Sequence, residues 1–373
     1  MPEALRHKGT YEDNRTVPAS SPRHHLVAHI DKSTKMWYYA ACGKEGAEQI
    51  DMEIKGFTYG YDGRDGVYRS EAGKLSQERL FETGVNWICL CFTVEQDDVF
   101  SRQIRFHFGH DVNDRDLMAV IENAHKHNVK VCLKPILNSG DGIWRARITF
   151  PDSDQWGRDK YWDEWFASYT AFITYYAKLA EETGCEMFCI GCEMLGTEQK
   201  EQHWRKLIAG VRSAYSGKIA YNTNHGHELE MKWFDAVDYV GTSAYFPVGE
   251  EGKTSVEDMA AKWAKIKDEM KKVHEAFNKP VVFIEIGCRS AHGCSAMPWD
   301  FEHQDLPHDE EEQANFYESC LQTFFDEPWF AGCFWWDWGS TIYDTVEEAA
   351  KENGFNVHLK KAEQVLKKWY ANT

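Results

Sequence analysis

The sequence predicts a single-domain α/β protein, a (β/α)8 TIM barrel, on three observations. Eight short apolar runs follow one another from about residue 53, amphipathic helical patterns lie between them, and two of the runs carry a glutamate at or near the C-terminal end, where such barrels open their active sites. The runs are EIKGFTYGYD, VNWICLCF, VKVCLKPIL, CEMFCIGCE, KIAYNTN, VDYVGTSAYF, PVVFIEIG and GCFWWDW. Each is strand-like in length, and eight strands alternating with helices imply a closed parallel barrel.

Residues 1–52 read as an N-terminal arm and lead-in, because SPRHH and its surroundings show little apolar periodicity, and 53–373 as the barrel. The clearest helix runs from Tyr161 to Glu182. There Trp162, Trp165, Phe166, Tyr169, Phe172, Ile173 and Tyr176 recur at spacings of three and four, and Gly184 supplies a stop. A second helix carries Val256, Met259, Trp263, Ile266, Met270 and Val273, and a third Phe316, Tyr317, Cys320, Leu321 and Phe324. These stripes are core.

The chain has 373 residues, enough for one large core. Its net charge of −18 repels phosphate backbones and anionic lipid, so nucleic acid and membranes are poor partners while neutral ligands are unaffected. The aromatic share of 14% exceeds the usual, and aromatic faces are platforms for sugar rings as well as core. Eleven cysteines, mostly inside the apolar runs, read as reduced core thiols. Cys189 and Cys192 form a C-x-x-C pattern, but strict strand alternation sends them to opposite faces, against a chelate or a dithiol. His225 and His227 lack a third ligand of fixed spacing, so no metal and no cofactor are expected. The N-terminus MPEALRHKGTYEDNR has no hydrophobic h-region, from which a cytoplasmic location is expected.

The glutamates carry the chemistry. Glu193 closes the fourth run and Glu285 lies near the end of the seventh; paired carboxylates are what glycosidic cleavage needs, although either alone could be a salt-bridged strand-end residue. Strict alternation gives Glu193 the face of Cys189 and Gly191, and Glu285 the face of Phe283 and Gly287, with the glycines leaving room for a ligand. Ile190, Ile284 and Ile286 then point at the helices.

The ordered series GFTYGYDG, KVCLKPIL with DGIWRARI, WDEWFASYTAFITYYAKLAEE, FCIGCEM, DYVGTSAYFP, PVVFIEIGCRS with PWD, and DEPWFAGCFWWDW resembles glycoside hydrolase family 113. The resemblance covers about residues 53 to 370. It implies a clan A barrel acting on β-1,4-mannan or manno-oligosaccharides with retention, Glu193 as acid/base and Glu285 as nucleophile. It also implies that Tyr245 holds the nucleophile and that an aromatic floor lies at Trp335 or Trp336, with parity undecided. Trp144, Asn224 and Lys134 are candidate substrate contacts, Lys134 being equally readable as a lysine paired to a carboxylate. Cys192 stands where the clan often has Asn, and a thiol is a weak donor to a sugar hydroxyl. A barrel glycosidase of other specificity (β-mannosidase or β-glucosidase), a catalytically silent sugar-binding barrel and a redox-sensing thiol protein are the competing readings.

Overall fold

The computed structural model describes residues 52–61, 63–105 and 111–371. The N-terminal arm lies outside them. Eight parallel strands close into a barrel in chain order: β1 (Ile54–Tyr59), β2 (Trp87–Gln96), β3 (Lys130–Ser139), β4 (Met187–Cys192), β5 (Lys218–Asn224), β6 (Tyr239–Ser243), β7 (Val281–Ile286) and β8 (Phe330–Trp338). Closure is made by β1 against β8, from Ile54 opposite Gly332 to Tyr59 opposite Trp338. Gly332 sits at φ +133°, and a Cβ there would lie 2.0 Å from the Ile54 carbonyl oxygen, so only glycine lets β8 approach β1.

Around the strands run α1 (Glu71–Phe81), α2 (Asp114–Lys126), α3 (Lys160–Thr183), α4 (Leu195–Glu198), α5 (Glu201–Arg212), α6 (Val256–Phe277), α7 (Glu310–Phe324), α8 (Val346–Ala349) and α9 (Lys361–Tyr370). Between β5 and β6 the chain makes two 3-10 turns, Glu228–Glu230 and Phe234–Ala236, where Trp233 stacks on Trp204 of α5 and fills the gap. The α3 stripe is buried as its spacing predicts, and Gly184 ends the helix at φ 73°. Burying each such aromatic contributes roughly 1.5–3 kcal/mol. Ser255 caps α6 by accepting from the Asp258 amide, and Asp309 caps α7 by accepting from the Glu312 amide.

Two apolar layers result. One fills the barrel axis, with Trp87, Met187, Cys189, Val282, Ile284 and Phe334 among its members. The other lies between strands and helices and holds Phe188, Ile190, Phe283, Ile286 and Trp335. Ile284 therefore points inward and Phe283 outward, toward Trp263 and Phe324. Both placements reverse the strict-alternation reading.

The reason is local. The ladder between β4 and β5 shifts register between Cys189 and Cys192, and the ladder between β7 and β8 shifts between Phe283 and Ile286. A register irregularity turns the following side chain without breaking the strand. On β4 the Gly191 Cβ position lies against Tyr221 and Tyr169 on the helix side, so Cys192 faces inward as Cys189 does. On β7 the shift brings Glu285 to the mouth directly after inward-facing Ile284. The glycines serve backbone packing rather than ligand space: a Cβ on Gly287 would meet the Trp336 carbonyl oxygen at 2.4 Å.

Among the described residues no helix is long and apolar enough to cross a membrane. The ten described cysteines are buried and free.

Candidate active site

Glu285 is buried at the mouth and held by four groups from four strands or strand ends. Oε1 accepts from Lys134 Nζ of β3, from Asn222 Nδ2 of β5 at 3.1 Å and from Cys192 Sγ of β4 at 3.2 Å. Oε2 accepts from the Tyr245 hydroxyl, just beyond β6, at 3.2 Å. Burial pushes the Glu285 carboxyl up. The charges of Lys134 and Arg145, with the hydrogen bonds from Lys134 and Cys192, outweigh burial and hold it below a glutamate's ordinary value. Burial, then the charge of Glu285, raises the Cys192 thiol well above its ordinary range, and the same two causes raise the Tyr245 hydroxyl. Both keep their protons and act as donors.

Lys134 is fully buried and paired with Glu285. That removes it from the substrate contacts the sequence suggested and selects the alternative, a lysine paired to a carboxylate. An ion pair this deep persists only because further hydrogen bonds satisfy it.

Glu193 follows β4 with φ +53°, a left-handed conformation that costs a non-glycine residue about 1–3 kcal/mol. Its amide is fixed to the Asn222 carbonyl oxygen at 2.7 Å. Its carboxylate accepts from Arg145 Nη2 at 2.8 Å and from Trp144 Nε1 at 3.4 Å through Oε2, and from Asn224 Nδ2 at 3.1 Å through Oε1. Asn224 and Trp144 therefore both meet Glu193. Trp144 remains half exposed.

Arg145 ties the two carboxylates into one constellation. Its Nη2 lies 3.5 Å from Cys192 Sγ, its Nε donates to the Cys192 carbonyl oxygen at 3.0 Å, and its Nη1 donates to Asn138 Oδ1 at 3.0 Å. It comes from a 3-10 turn, Arg145–Arg147, in the loop after β3. Sequence reasoning missed Arg145 and Asn222. Asn222 carried a signal, since it shares a strand face with Asn224; Arg145 carried none that set it apart from Arg147.

From Cys333 to Trp336 β8 alternates, with Cys333 and Trp335 toward the helices, Phe334 in the barrel axis and Trp336 above it at the mouth. Trp336 packs against Tyr61 at 4.9 Å between ring centroids, and Lys134 Nζ lies 6.0 Å from its ring. Trp335 points the other way, stacks on Tyr317 at 3.9 Å and donates from Nε1 to the Tyr370 hydroxyl at 2.9 Å. It belongs to the core between β8 and the helices and is withdrawn from the site.

His225 Nδ1 meets the Ser243 carbonyl oxygen at 3.1 Å and His227 Nδ1 meets Glu230 at 3.0 Å, so the two rings serve different partners. A carboxylate kept ionised by cations and donors, linked through Cys192 and Arg145 to a second carboxylate, has the components for attack at an electrophilic carbon with proton transfer to a leaving oxygen.

The model of Glycoside Hydrolase Family 113 matches residues 57–360. The chain is similar to the family 113 β-mannanase of Alicyclobacillus acidocaldarius, solved in complex with ManMIm. Identity is 36% and the TM-score 0.77, over 85% of this chain and 97% of that one. A family 113 β-1,4-mannanase solved as a complex is 34% identical with a TM-score of 0.78, over 86% of this chain and 99% of that one. A β-D-glucuronidase of Dictyoglomus thermophilum, 15% identical with a TM-score of 0.58 over 86% of this chain and 51% of that one, shares the fold alone. No curated protein sequence matches the chain.

Proposed function

We propose that this chain, which belongs to glycoside hydrolase family 113, cleaves β-1,4-mannosidic bonds in mannan or manno-oligosaccharides by double displacement. The observation that carries the reading is the hydrogen-bonded constellation joining Glu193 and Glu285 through Arg145 and Cys192. The two family 113 structures described above, both of β-mannanases, support the sugar.

In this reading Glu285, kept ionised by Lys134 and its donors, attacks the anomeric carbon and forms a glycosyl ester. Glu193 gives its proton to the departing oxygen. It is then a carboxylate against Arg145 and Asn224, oriented to take a proton from the water that cleaves the ester. Attack from opposite faces in two successive steps returns the original anomeric configuration. Tyr245 fixes the rotamer of Glu285, and Trp336 with Tyr61 supplies the aromatic floor under the retained sugar. Trp144, half exposed beside Glu193, contacts sugar near the cleaved bond.

The test is hydrolysis of mannan, mannobiose to mannohexaose and cello-oligosaccharides, with the anomer of the first product followed by NMR. Faster cleavage of manno- than of cello-oligosaccharides of equal length, with β product formed first, is the expected result. A preference for cello-oligosaccharides refutes the sugar assignment, and initial α product refutes double displacement.

A further inference from the structure

We infer that Trp299, stacked on His225, is the platform for the departing part of the sugar chain, so that the site grips the substrate on the reducing side of the bond it cuts. The inference rests on the mannan reading above and gives that site a second gripping surface.

The path from Glu193 to Trp299 is short. Asn224, at the end of β5, donates to Glu193 Oε1, and His225 follows it in the chain. The His225 ring is held by the Ser243 carbonyl oxygen at 3.1 Å and by Phe246 at 5.0 Å between centroids. Trp299 lies on that ring at 6.2 Å with an interplanar angle of 29°. Burial lowers the proton affinity of His225 despite the Ser243 contact, so a neutral ring backs the indole. Trp299 itself is 46% exposed.

That exposure is built, not slack. The next residue, Asp300, accepts from Nη2 of buried Arg289 at 3.1 Å, and the same Nη2 donates to the His303 carbonyl oxygen at 2.6 Å. His303 Nδ1 returns to Asp300 Oδ1 at 2.8 Å. A buried guanidinium thus pins the turn that presents an indole to solvent, and a preformed aromatic face loses little entropy when a ligand covers it.

The chemistry of cleavage fixes which sugar lies there. The departing oxygen must take the Glu193 proton, so the departing sugar leaves past Glu193, whereas the retained sugar bonds to Glu285 over Trp336 and Tyr61. Trp299 comes from the loop between β7 and α7 and reaches back to His225 at the end of β5, the strand whose Asn224 meets Glu193. Tyr61 and Trp336, by contrast, come from the loop after β1 and from β8. A pyranose offers a face of C–H bonds that packs on an indole, while its hydroxyls stay in water.

The experiment compares Trp299→Ala and Trp299→Phe with the wild type on mannopentaose and on β-mannobiosyl fluoride, whose leaving group is too small to reach the platform. The expected result is that Trp299→Ala loses at least about tenfold more kcat/KM on mannopentaose than on the fluoride, and that Trp299→Phe recovers most of the difference. Equal losses on the two substrates, or none on mannopentaose, overturn the platform and leave the mannan reading standing. A wild-type enzyme inert on both substrates refutes that reading and the platform with it.

Discussion

Cys192 Sγ lies 3.2 Å from Glu285 Oε1 and donates to it, although strict alternation from Cys189 would turn the thiol toward the helices. A residue read from sequence as a weak substitute for asparagine is a hydrogen-bond donor to the other carboxylate of the site.

Removing that donor should raise the Glu285 pKa, because hydrogen bonds to the charged form favour it. The acid limb of kcat/KM, set by Glu285 losing its proton, should then move to higher pH in Cys192→Ala. A thiol is a weak donor, so the shift should be smaller than the one caused by removing Lys134. A pH–rate profile unchanged on its acid side would show that the thiol contributes nothing to the ionised state.

Lys134→Met should act in the same direction and more strongly, since it leaves Glu285 buried without its closest cation. Breaking one side of a buried pair costs about 3–5 kcal/mol, part of which the carboxyl avoids by taking up a proton. Glu285 has a native pKa below its unfolded value, so its contribution to stability is fully present above the unfolded value near 4.3 and is lost as pH falls through the native one. The variant should lose that dependence, with a lower Tm at pH 7 and a smaller further drop between about pH 5 and 3. A thermal melt at each pH reads it, and a wild-type pH dependence in the variant would contradict the pairing.

Much of this was legible in the sequence. Each of the eight apolar runs overlaps a strand, because parallel strands buried on both faces need only continuous hydrophobicity, and Gly184 ends α3 where a left-handed residue was called for. Strict alternation failed at Cys192, Ile284 and Glu285, where register shifts between neighbouring strands re-aim side chains. Such shifts depend on pairing partners, which period-two reading along one strand does not contain. Trp335 and Trp336 divide by regular alternation once Phe334 is known to be inside, but that anchor comes only from closure of β8 on β1. Arg145 reaches both Glu193 and Cys192 from a turn whose direction no local pattern fixes.

Glu285→Gln should abolish turnover, by on the order of a thousandfold or more, because an amide cannot form the glycosyl ester. The Gln oxygen can still accept from Lys134 while its amide nitrogen donates to the Tyr245 hydroxyl oxygen, so the circular dichroism of the folded protein should be retained. Turnover within about tenfold of wild type would remove Glu285 from the nucleophile's role.

Glu193→Gln separates protonation from attack. A glycoside with an ordinary sugar leaving group needs a proton on its oxygen as the bond breaks, and general acid assistance is worth about 10²–10⁴-fold. A dinitrophenyl β-mannobioside needs almost none, so its first step should be nearly spared in the variant. Its second step still lacks the base, and the glycosyl ester on Glu285 should accumulate. Rapid-mixing kinetics should therefore show a burst of dinitrophenol close to one equivalent followed by slow turnover, while mannopentaose hydrolysis falls throughout. Equal losses on both substrates without a burst would mean that Arg145 and Asn224 hold Glu193 for a purpose other than proton transfer.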